Sequence, residues 1–285
     1  MSEYTYESTS KTLSTPHGEL HYHEAGEGPP LLLLHGSGPG VSGWANFRGN
    51  LPAFAPHFRT LVLDMPGFGK SYEPDDNPAL HAPDAALAFL DQLGVDRIPI
   101  VGNSMGGGVA ARLAAAHPER VSRLVTIGGV GVPFFSPTPA EGIILLVDFV
   151  ENPTRDRLLR WMHSMVFDPS ILTDEFVEMR WQSATDPAAL TGIRKMYNAG
   201  MLAGLRERLI GNPGALAMLA QIKAPTLLTW GRDDRVTPLD GMLAPMRFIE
   251  KCEVHIFYDC GHWAMIERQD EFESVVLSYL LRDLT

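Results

Sequence analysis

The chain has 285 residues, of which 45% are hydrophobic and 20% are charged, and its formal net charge is −11. This is typical of one large α/β domain or a core with a smaller insertion, and the acidic balance argues against nucleic acid or an anionic membrane as a partner, because both bind clustered lysine and arginine. We expect a cytoplasmic protein without a membrane segment or a metal site, since the N-terminus is polar, no apolar run is long enough to span a bilayer, and the two cysteines have no disulfide or zinc spacing.

The first part of the chain alternates predicted strands with a predicted helix. Residues 18–23 alternate polar and apolar side chains, as the edge strand of an antiparallel hairpin would. Residues 31–34 are a continuous apolar run, which is typical of a strand buried on both faces, and residues 60–63 are predicted as a second buried strand. A helical pattern at residues 81–93 and a further strand at residues 123–127 continue the alternation. This order predicts βαβ units and a largely parallel sheet.

A strand, a sharp turn and a helix follow one another around Ser104. A β-branched run leads into G-N-S-M-G at residues 102–106, and an alanine-rich helical pattern follows. In this context G-x-S-x-G indicates a nucleophile elbow, because a serine on so tight a turn needs small neighbours two positions away if the helix is to pass close to the strand. The hydroxyl then lies beside a helix N-terminus, whose N–H groups can face an oxyanion. A glycine-rich connection with an incidental serine is the alternative.

The alternation stops between residues 132 and 213. Four helical stretches replace it there, at residues 140–150, 155–166, 173–184 and 187–203. Strands resume at residues 225–231 and 253–258, and an amphipathic helix at residues 270–281 follows them. We therefore predict an α/β core formed by residues 1–132 and 213–285, with residues 133–212 inserted as a helical lid.

A nucleophilic serine needs a base, and the base needs an acid that fixes its tautomer. Of the ten histidines only His255 and His262 follow the point where the sheet resumes. His255 alternates with apolar residues inside a strand, whereas His262 comes just past the strand end, where ligands bind in open α/β sheets. His262 is therefore the predicted base. Asp234 and Asp233 both follow the preceding strand end as possible acids, and Asp64, in what reads as a tight structural turn, is a further rival.

A glycine-rich segment, H-G-S-G-P-G at residues 35–40, directly follows a buried strand and is called the glycine loop below. It is too rich in glycine to form a helix or a strand. The predicted oxyanion hole combines the N–H of Met105, the residue after the nucleophile, with an N–H from this loop. Gly38 and Ser37 are the candidates, since glycine lets the backbone approach closely. A simple turn is the alternative.

Together these motifs resemble the α/β-hydrolases and, within them, the meta-cleavage product hydrolases, which break a carbon–carbon bond in ring-fission products of aromatic catabolism. The resemblance runs from about residue 18 to the C-terminus. It selects Asp234 as the acid, three positions after the glycine of its motif, and implies a cofactor-free enzyme that forms a homo-oligomer, a dimer or higher. The matching motifs are H-G-S-G-P-G (35–40), W-A-N (44–46), D-M-P-G-F-G (64–69), G-N-S-M-G-G (102–107), G-R-D-D-R (231–235) and C-G-H-W (260–263).

The resemblance further implies that Arg180 binds the carboxylate end of a 2-hydroxy-6-oxohexa-2,4-dienoate. The residues alone leave this open. Arg180 shares a predicted helix face with Phe176, and a cation beside an apolar stripe needs an anionic partner if it is buried. The alternative is a surface arginine paired with Glu178 or Asp186.

Three more residues receive roles from the resemblance. Asn46 and Asn103 are expected to contact the polar dienoate end, and Trp263 to pack beside the base. The implied reaction is hydrolysis of the C5–C6 bond of this small-molecule substrate, with a carboxylesterase or lactonase as the alternative. The stretch at residues 138–142 favours an aryl or bulky substituent on C6. Further candidates for the substituent pocket are Phe134, Phe135, Met162, Met165, Val166, Met196 and Met201.

Overall fold

The computed structural model describes residues 4–131, 133–207 and 213–282. The strands are β1 Ser10–Thr15, β2 Gly18–Ala25, β3 Pro30–Leu34, β4 Arg59–Leu63, β5 Ile98–Asn103, β6 Val121–Ile127, β7 Thr226–Gly231 and β8 Cys252–Phe257. The helices are α1 Tyr6–Thr9, α2 Gly43–Phe47, α3 Leu51–Phe54, α4 Pro78–Gln92, α5 Met105–Ala116, α6 Glu141–Glu151, α7 Arg155–Met165, α8 Asp174–Ala184, α9 Pro187–Met196, α10 Ala199–Glu207, α11 Pro213–Gln221, α12 Leu243–Phe248, α13 Ala264–Glu267 and α14 Gln269–Leu281. Short 3-10 turns occur at Pro169–Ile171 and Leu239–Met242.

The strands form one sheet in the order β1-β2-β4-β3-β5-β6-β7-β8, so the α/β prediction is confirmed. The pairs β1–β2 and β2–β4 are antiparallel, and every pair from β4 to β8 across the sheet is parallel. The parallel strands have buried apolar interiors, and the four leucines of β3 have no exposed surface. Burial on both faces is the reason that these strands read as continuous apolar runs rather than as alternating ones.

The prediction that residues 18–23 form an edge strand is wrong. β2 is flanked on both sides, by β1 and by β4, and the outer strand is β1. Two polar residues of β2, His21 and His23, are buried, because Asp64 and Thr9 supply them with hydrogen-bond partners. In a sequence pattern, a buried histidine with a hydrogen-bond partner looks the same as a histidine that faces solvent. The pattern therefore wrongly placed β2 at the edge of the sheet.

The helices α6–α10, here called the inserted helices, lie between β6 and β7 in the chain. The predicted helix over residues 187–203 is in fact two, because α9 ends at Met196 and α10 begins at Ala199. The lid boundaries predicted beside residues 132 and 212 fall on residues that lie outside the described part of the chain. Within residues 4–131, 133–207 and 213–282, no helix is long and apolar enough to cross a bilayer.

The register brings the carboxyl ends of the parallel strands to one edge of the sheet. Leu34 at the end of β3 pairs with Gly102 of β5, and Asn103 pairs with Ile127 at the end of β6. Ile127 in turn faces Thr229 of β7. The loops that follow these strands are therefore neighbours, although up to 200 residues separate them along the chain.

Candidate active site

Ser104 lies between β5 and α5 in a conformation that few residues other than glycine adopt. Its φ is 51° and its ψ is −115°. Glycine is required on both sides of this turn: a Cβ on Gly102 would clash with the carbonyl of Gly106, and one on Gly106 would clash with the carbonyl of Leu34. The helix therefore passes as close to the strands as the sequence pattern predicts, and the strained turn presents a half-buried Ser104 at the sheet edge.

His262 and Asp234 form a buried pair at the same edge. His262 Nδ1 lies 2.7 Å from Asp234 Oδ2, and each side chain is 2% exposed. Asp234 Oδ1 also accepts the backbone N–H groups of Val236 and Thr237, at 2.8 and 2.9 Å. Because the carboxylate can only accept, Nδ1 carries the proton and Nε2 is left with a lone pair. This arrangement fixes the histidine tautomer that a general base needs.

The rival acids are placed elsewhere. Asp233 pairs with Arg232 at 3.2 Å, and Asp64 pairs with His21 at 2.7 Å. Of the three acids that the sequence leaves open, the structure thus brings Asp234 to His262.

Two consecutive glycines separate the serine from the histidine. A Cβ on Gly128 would be 3.4 Å from His262 Cε1, while one on Gly129 would be 2.5 Å from Ser104 Cα. In the part of the chain that the structure describes, the Ser104 hydroxyl makes no hydrogen bond. Such contacts are often loose without substrate and close in the reacting complex.

Thr237 is a part of this site that sequence reasoning missed. Its hydroxyl donates to Asp234 Oδ2 at 2.8 Å and lies 3.3 Å from His262 Nδ1. A threonine in a loop carries no signal of such a role, because its position depends on the turn after Asp234. The contact holds the carboxylate in the orientation that faces the histidine.

The glycine loop lies over Ser104. A Cβ on Gly36 would be 3.3 Å from Ser104 Cβ, and one on Gly38, where φ is +150°, would be 2.9 Å from Trp161 Cζ2. Met105 is the first residue of α5, so its N–H has no acceptor within the helix. Met105 and the loop therefore flank the serine from two sides.

Two side chains from the region of the inserted helices hold this loop, and the sequence did not single out either of them. Trp161 of α7 packs on Gly38, as the close approach above indicates. The hydroxyl of Tyr197, the residue after α9, lies 2.5 Å from Ser37 Oγ. The Ser37 side chain is thus engaged with Tyr197.

The two asparagines contact each other beside the serine. Asn46 Nδ2 donates to Asn103 Oδ1 at 2.9 Å, and Asn103 Nδ2 donates to the carbonyl of Ile127 at 3.2 Å. Both side chains are buried. Their hydrogen bonds fix the amide orientations, so this wall of the site is polar and rigid.

Arg180 on α8 is 1% exposed, and no carboxylate in the described part of the chain pairs with it. Its Nη1 donates to the carbonyls of Gly40 at 3.1 Å and Pro39 at 3.5 Å, while its Nε is buried without an acceptor. The guanidinium lies 5.5 Å from the ring centre of Phe176 and 5.4 Å from that of Trp263. Burial lowers the pKa of Arg180 to about 10, and the positive charge of Arg48 acts in the same direction. Arg180 therefore remains charged at neutral pH.

The alternative of a surface arginine is wrong. Glu178 pairs with Arg155 instead, and Asp186 accepts the first backbone N–H groups of α9. A buried cation needs a negative charge or several acceptors to offset its desolvation. The carbonyl of Gly40 and the aromatic rings are neutral, so Arg180 can accommodate an anion from outside the protein.

The seven candidates for the substituent pocket differ in burial. Met162, Met165, Val166 and Met196 are buried and Met201 is half-buried, whereas Phe135 is 85% exposed and Phe134 is also exposed. The two phenylalanines therefore lie at the surface in this structure. In the described residues, no group of three or more histidine, cysteine, aspartate or glutamate side chains could hold a metal ion.

Comparison with known proteins places these features in context. A family profile described as alpha/beta hydrolase fold matches residues 29–158 and 183–269. The 2-hydroxy-6-oxononadienedioate/2-hydroxy-6-oxononatrienedioate hydrolase of a Pseudomonas species is 37% identical and is covered over 100% of its length by 99% of this chain. The 2-hydroxy-6-oxo-6-phenylhexa-2,4-dienoate hydrolase of Comamonas testosteroni is 35% identical, with 98% of this chain and 99% of that protein covered.

A solved structure shows the same likeness. The meta-cleavage product hydrolase of Pseudomonas fluorescens IP01 is 29% identical, and the two structures superpose with a TM-score of 0.85 over 95% of this chain and 97% of the other. The similarity therefore includes both the sheet and the inserted helices.

Proposed function

Because the chain belongs to the alpha/beta-hydrolase family and, within it, to the meta-cleavage product hydrolases, we propose that it hydrolyses the C5–C6 bond of a 2-hydroxy-6-oxohexa-2,4-dienoate. The observation that carries this proposal is the buried Arg180, which has no carboxylate partner in the described part of the chain. A substrate carboxylate supplies the missing negative charge, and charge-assisted hydrogen bonds to a guanidinium fix its orientation.

Ser104, His262 and Asp234 carry the chemistry in this proposal. His262 removes the hydroxyl proton of Ser104 while Asp234 holds the imidazole and stabilises the imidazolium that forms. The activated oxygen attacks the C6 ketone, and the N–H groups of Met105 and of Gly38 or Ser37 stabilise the resulting oxyanion. The half-buried Ser104 and the buried His262–Asp234 pair support these roles.

Carbon–carbon cleavage also requires that C5 leave with an electron pair. We propose that the dienol first becomes its keto tautomer by losing the proton of its C2 hydroxyl and taking one at C5, while Arg180, Asn46 and Asn103 hold the carboxylate end. The bond between C5 and C6 then breaks, and the electron pair moves toward the C2 ketone. Water completes the hydrolysis, so the products are a 2-hydroxydienoate and a carboxylic acid.

The inserted helices act as a lid in this proposal. Trp161 and Tyr197 from this region contact the glycine loop, and Arg180 is on α8, so closing the lid positions both the oxyanion hole and the anion site. The buried methionines leave an adaptable pocket for the C6 substituent. We propose an aryl or bulky substituent. A phenyl and a carboxyethyl compound are the two to compare, because they correspond to the substrates in the relatives' names.

The experiment follows the loss of visible absorbance of the phenyl-substituted ring-fission product. We expect rapid bleaching by the wild type and a loss of kcat/KM of about 100-fold or more for Arg180→Gln, because the substrate carboxylate then lacks its partner. Hydrolysis of a simple uncharged ester should change by less than about threefold, since the triad is intact. The matched control is Arg155→Gln, an exposed arginine of the inserted helices that should leave both reactions unchanged.

Brisk ester hydrolysis by the wild type without bleaching of either ring-fission product would overturn the proposal. The protein would then be a carboxylesterase or lactonase with the same triad. Equal losses on ester and dienoate in Arg180→Gln would instead remove the assigned role of the arginine.

We also propose that the enzyme works in the cytoplasm as a homo-oligomer. The free thiols of Cys252 and Cys260 are compatible with a reducing compartment. Light scattering after size-exclusion chromatography tests the assembly, and a molar mass near the 31.3 kDa of one chain would contradict it.

A further inference from the structure

A cavity of about 470 Å³ lies where α2, α8 and the glycine loop meet. Arg180 and Arg48 both line it, together with Ala45 and Met179. A second cavity of about 360 Å³ is lined by Arg48 as well, and there Asn46 is part of the wall. Arg48 therefore lies between the proposed anion site and the polar asparagine wall.

Arg48 has the same unusual feature as Arg180. Its side chain is half-buried, and its Nη1 is buried without a hydrogen-bond acceptor in the described part of the chain. No carboxylate in that part of the chain lies within ion-pair distance of it. Burial lowers its pKa, and the carboxylate of Glu175, which lines the smaller cavity together with Arg48, opposes this shift. Two cations that form no ion pair in the described part of the chain thus line one cavity.

Three of the four acidic groups that line these cavities are engaged elsewhere. Asp64 pairs with His21, Glu73 pairs with Lys195 at 2.6 Å, and Asp186 caps α9. Glu175 is exposed. The remaining charged group of the cavity wall is Lys70, a third cation, which is exposed and lies over a tyrosine ring.

We propose that Arg48 is a second cation of the substrate site and that, with Arg180, it selects the ionised form of the 2-hydroxydienoate. That form carries two negative charges at one end, the carboxylate and the oxygen on C2, and two guanidiniums match them. The inference rests on the proposed function and adds a specificity residue to it.

The second cation has a chemical consequence. Opposite charge favours the ionised form of a neighbouring group, so the enol gives its proton to solvent more readily when it is bound than when it is free. The resulting dienolate has raised electron density at C5, the carbon that must be protonated before cleavage. Arg48 therefore promotes the protonation of C5 by favouring the dienolate, and it does so without contacting the C6 ketone.

The test measures binding rather than turnover. In a Ser104→Ala background, which stops cleavage, the phenyl-substituted ring-fission product is titrated across pH values on both sides of its own enol pKa. Visible absorbance reports the dienolate. Adding Arg48→Gln should weaken dienolate binding about 10-fold and raise the pH at which the bound enol ionises by about one unit, which corresponds to the loss of one nearby opposite charge.

Two variants separate this effect from structural damage. Arg48→Lys keeps the charge and should restore most of the affinity and the low ionisation pH, whereas Arg247→Gln removes an exposed charge elsewhere and should change neither. The inference is overturned if Arg48→Gln binds like the Ser104→Ala parent at every pH, or if Arg48→Lys is as weak as Arg48→Gln.

Failure of the proposed function would look different. In that case the wild-type enzyme, with both arginines present, does not bleach the compound at all. Bleaching by the wild type with a normal ionisation profile in Arg48→Gln contradicts the role of Arg48 alone.

Discussion

Two buried histidine–aspartate pairs occur in this molecule, and their contacts are nearly identical. His262 and Asp234 are 2.7 Å apart, and His21 of β2 lies 2.7 Å from Asp64, which directly follows β4. All four side chains are 2% exposed. In the second pair a serine also contacts the histidine nitrogen that does not face the aspartate, because Ser10 Oγ lies 2.7 Å from His21 Nε2.

The surroundings of the two serines differ. Ser10 is the first residue of an extended strand and follows the end of α1, whereas Ser104 has a positive φ and precedes the N-terminus of α5. The glycine loop lies over Ser104. Asp64 also accepts backbone N–H groups of Gly43 and Lys70, so that pair joins three segments of the chain.

A serine–histidine–aspartate contact alone therefore does not identify the proposed active site. A strained turn before α5 and the glycine loop distinguish Ser104, and the oxyanion donors proposed there would supply charge stabilisation that the pair alone cannot give. We interpret the N-terminal pair as a structural hydrogen-bond network. The comparison gives three predictions, from the largest expected effect to the smallest.

Replacing each serine is the strongest test of the difference between the two histidine–aspartate pairs. Ser104→Ala should lower kcat for the ring-fission product by about 10⁴-fold or more, because no attacking group remains. Ser10→Ala should leave kcat within about twofold and lower the free energy of unfolding by about 1 kcal/mol, the contribution of one hydrogen bond. Initial rates of bleaching and urea unfolding measure the two quantities. If Ser10→Ala were as inactive as Ser104→Ala, the interpretation of the N-terminal pair as structural would be wrong.

Neutralising each aspartate should affect activity differently. Asp234→Asn should lower kcat by about 10³- to 10⁴-fold, because the amide favours the wrong histidine tautomer. Asp64→Asn should lower the free energy of unfolding by about 3 kcal/mol, since a buried pair and its backbone contacts are lost. The rate per folded molecule should stay near that of the wild type. A stable but inactive Asp64→Asn would contradict this.

The part of the site that sequence could predict is the part carried by strand ends. Ser104 and His262 each follow a strand, and residues at strand ends meet because the sheet is parallel. The glycine requirement at the elbow was also predictable, since it is a steric consequence of a helix crossing a strand.

The remaining contacts depend on packing that the sequence does not encode locally. Trp161 and Tyr197 reach the glycine loop from the region of the inserted helices, more than 100 positions away along the chain. Whether Arg180 is buried could not be decided from its helix face, because the same spacing fits a surface arginine. Only the placement of α8 against the glycine loop settles its burial.

The smallest predicted effect concerns pH and belongs to the N-terminal network. His23 is buried next to His21, with ring centres 4.9 Å apart, and its Nδ1 lies 2.8 Å from Thr9 Oγ1 while Nε2 has no acceptor in the described part of the chain. Burial lowers the pKa of His23 from 6.5 to about 4, and the pKa of His35 is also lowered by burial.

Because these histidines bind a proton more readily in the unfolded chain, stability should be highest above about pH 6.5 and should fall as the pH drops from there toward about 4. We expect His23 to account for about 1–2 kcal/mol of this loss. Urea unfolding of the wild type and of His23→Gln near pH 7 and near pH 4.5 measures it, and His23→Gln should show the smaller difference. The activity of His23→Gln at neutral pH should equal that of the wild type, since a histidine of the structural network affects folding rather than turnover. If both proteins lose the same stability between these pH values, groups other than His23 cause the loss. If His23→Gln also loses activity at neutral pH, His23 contributes to turnover as well as to folding.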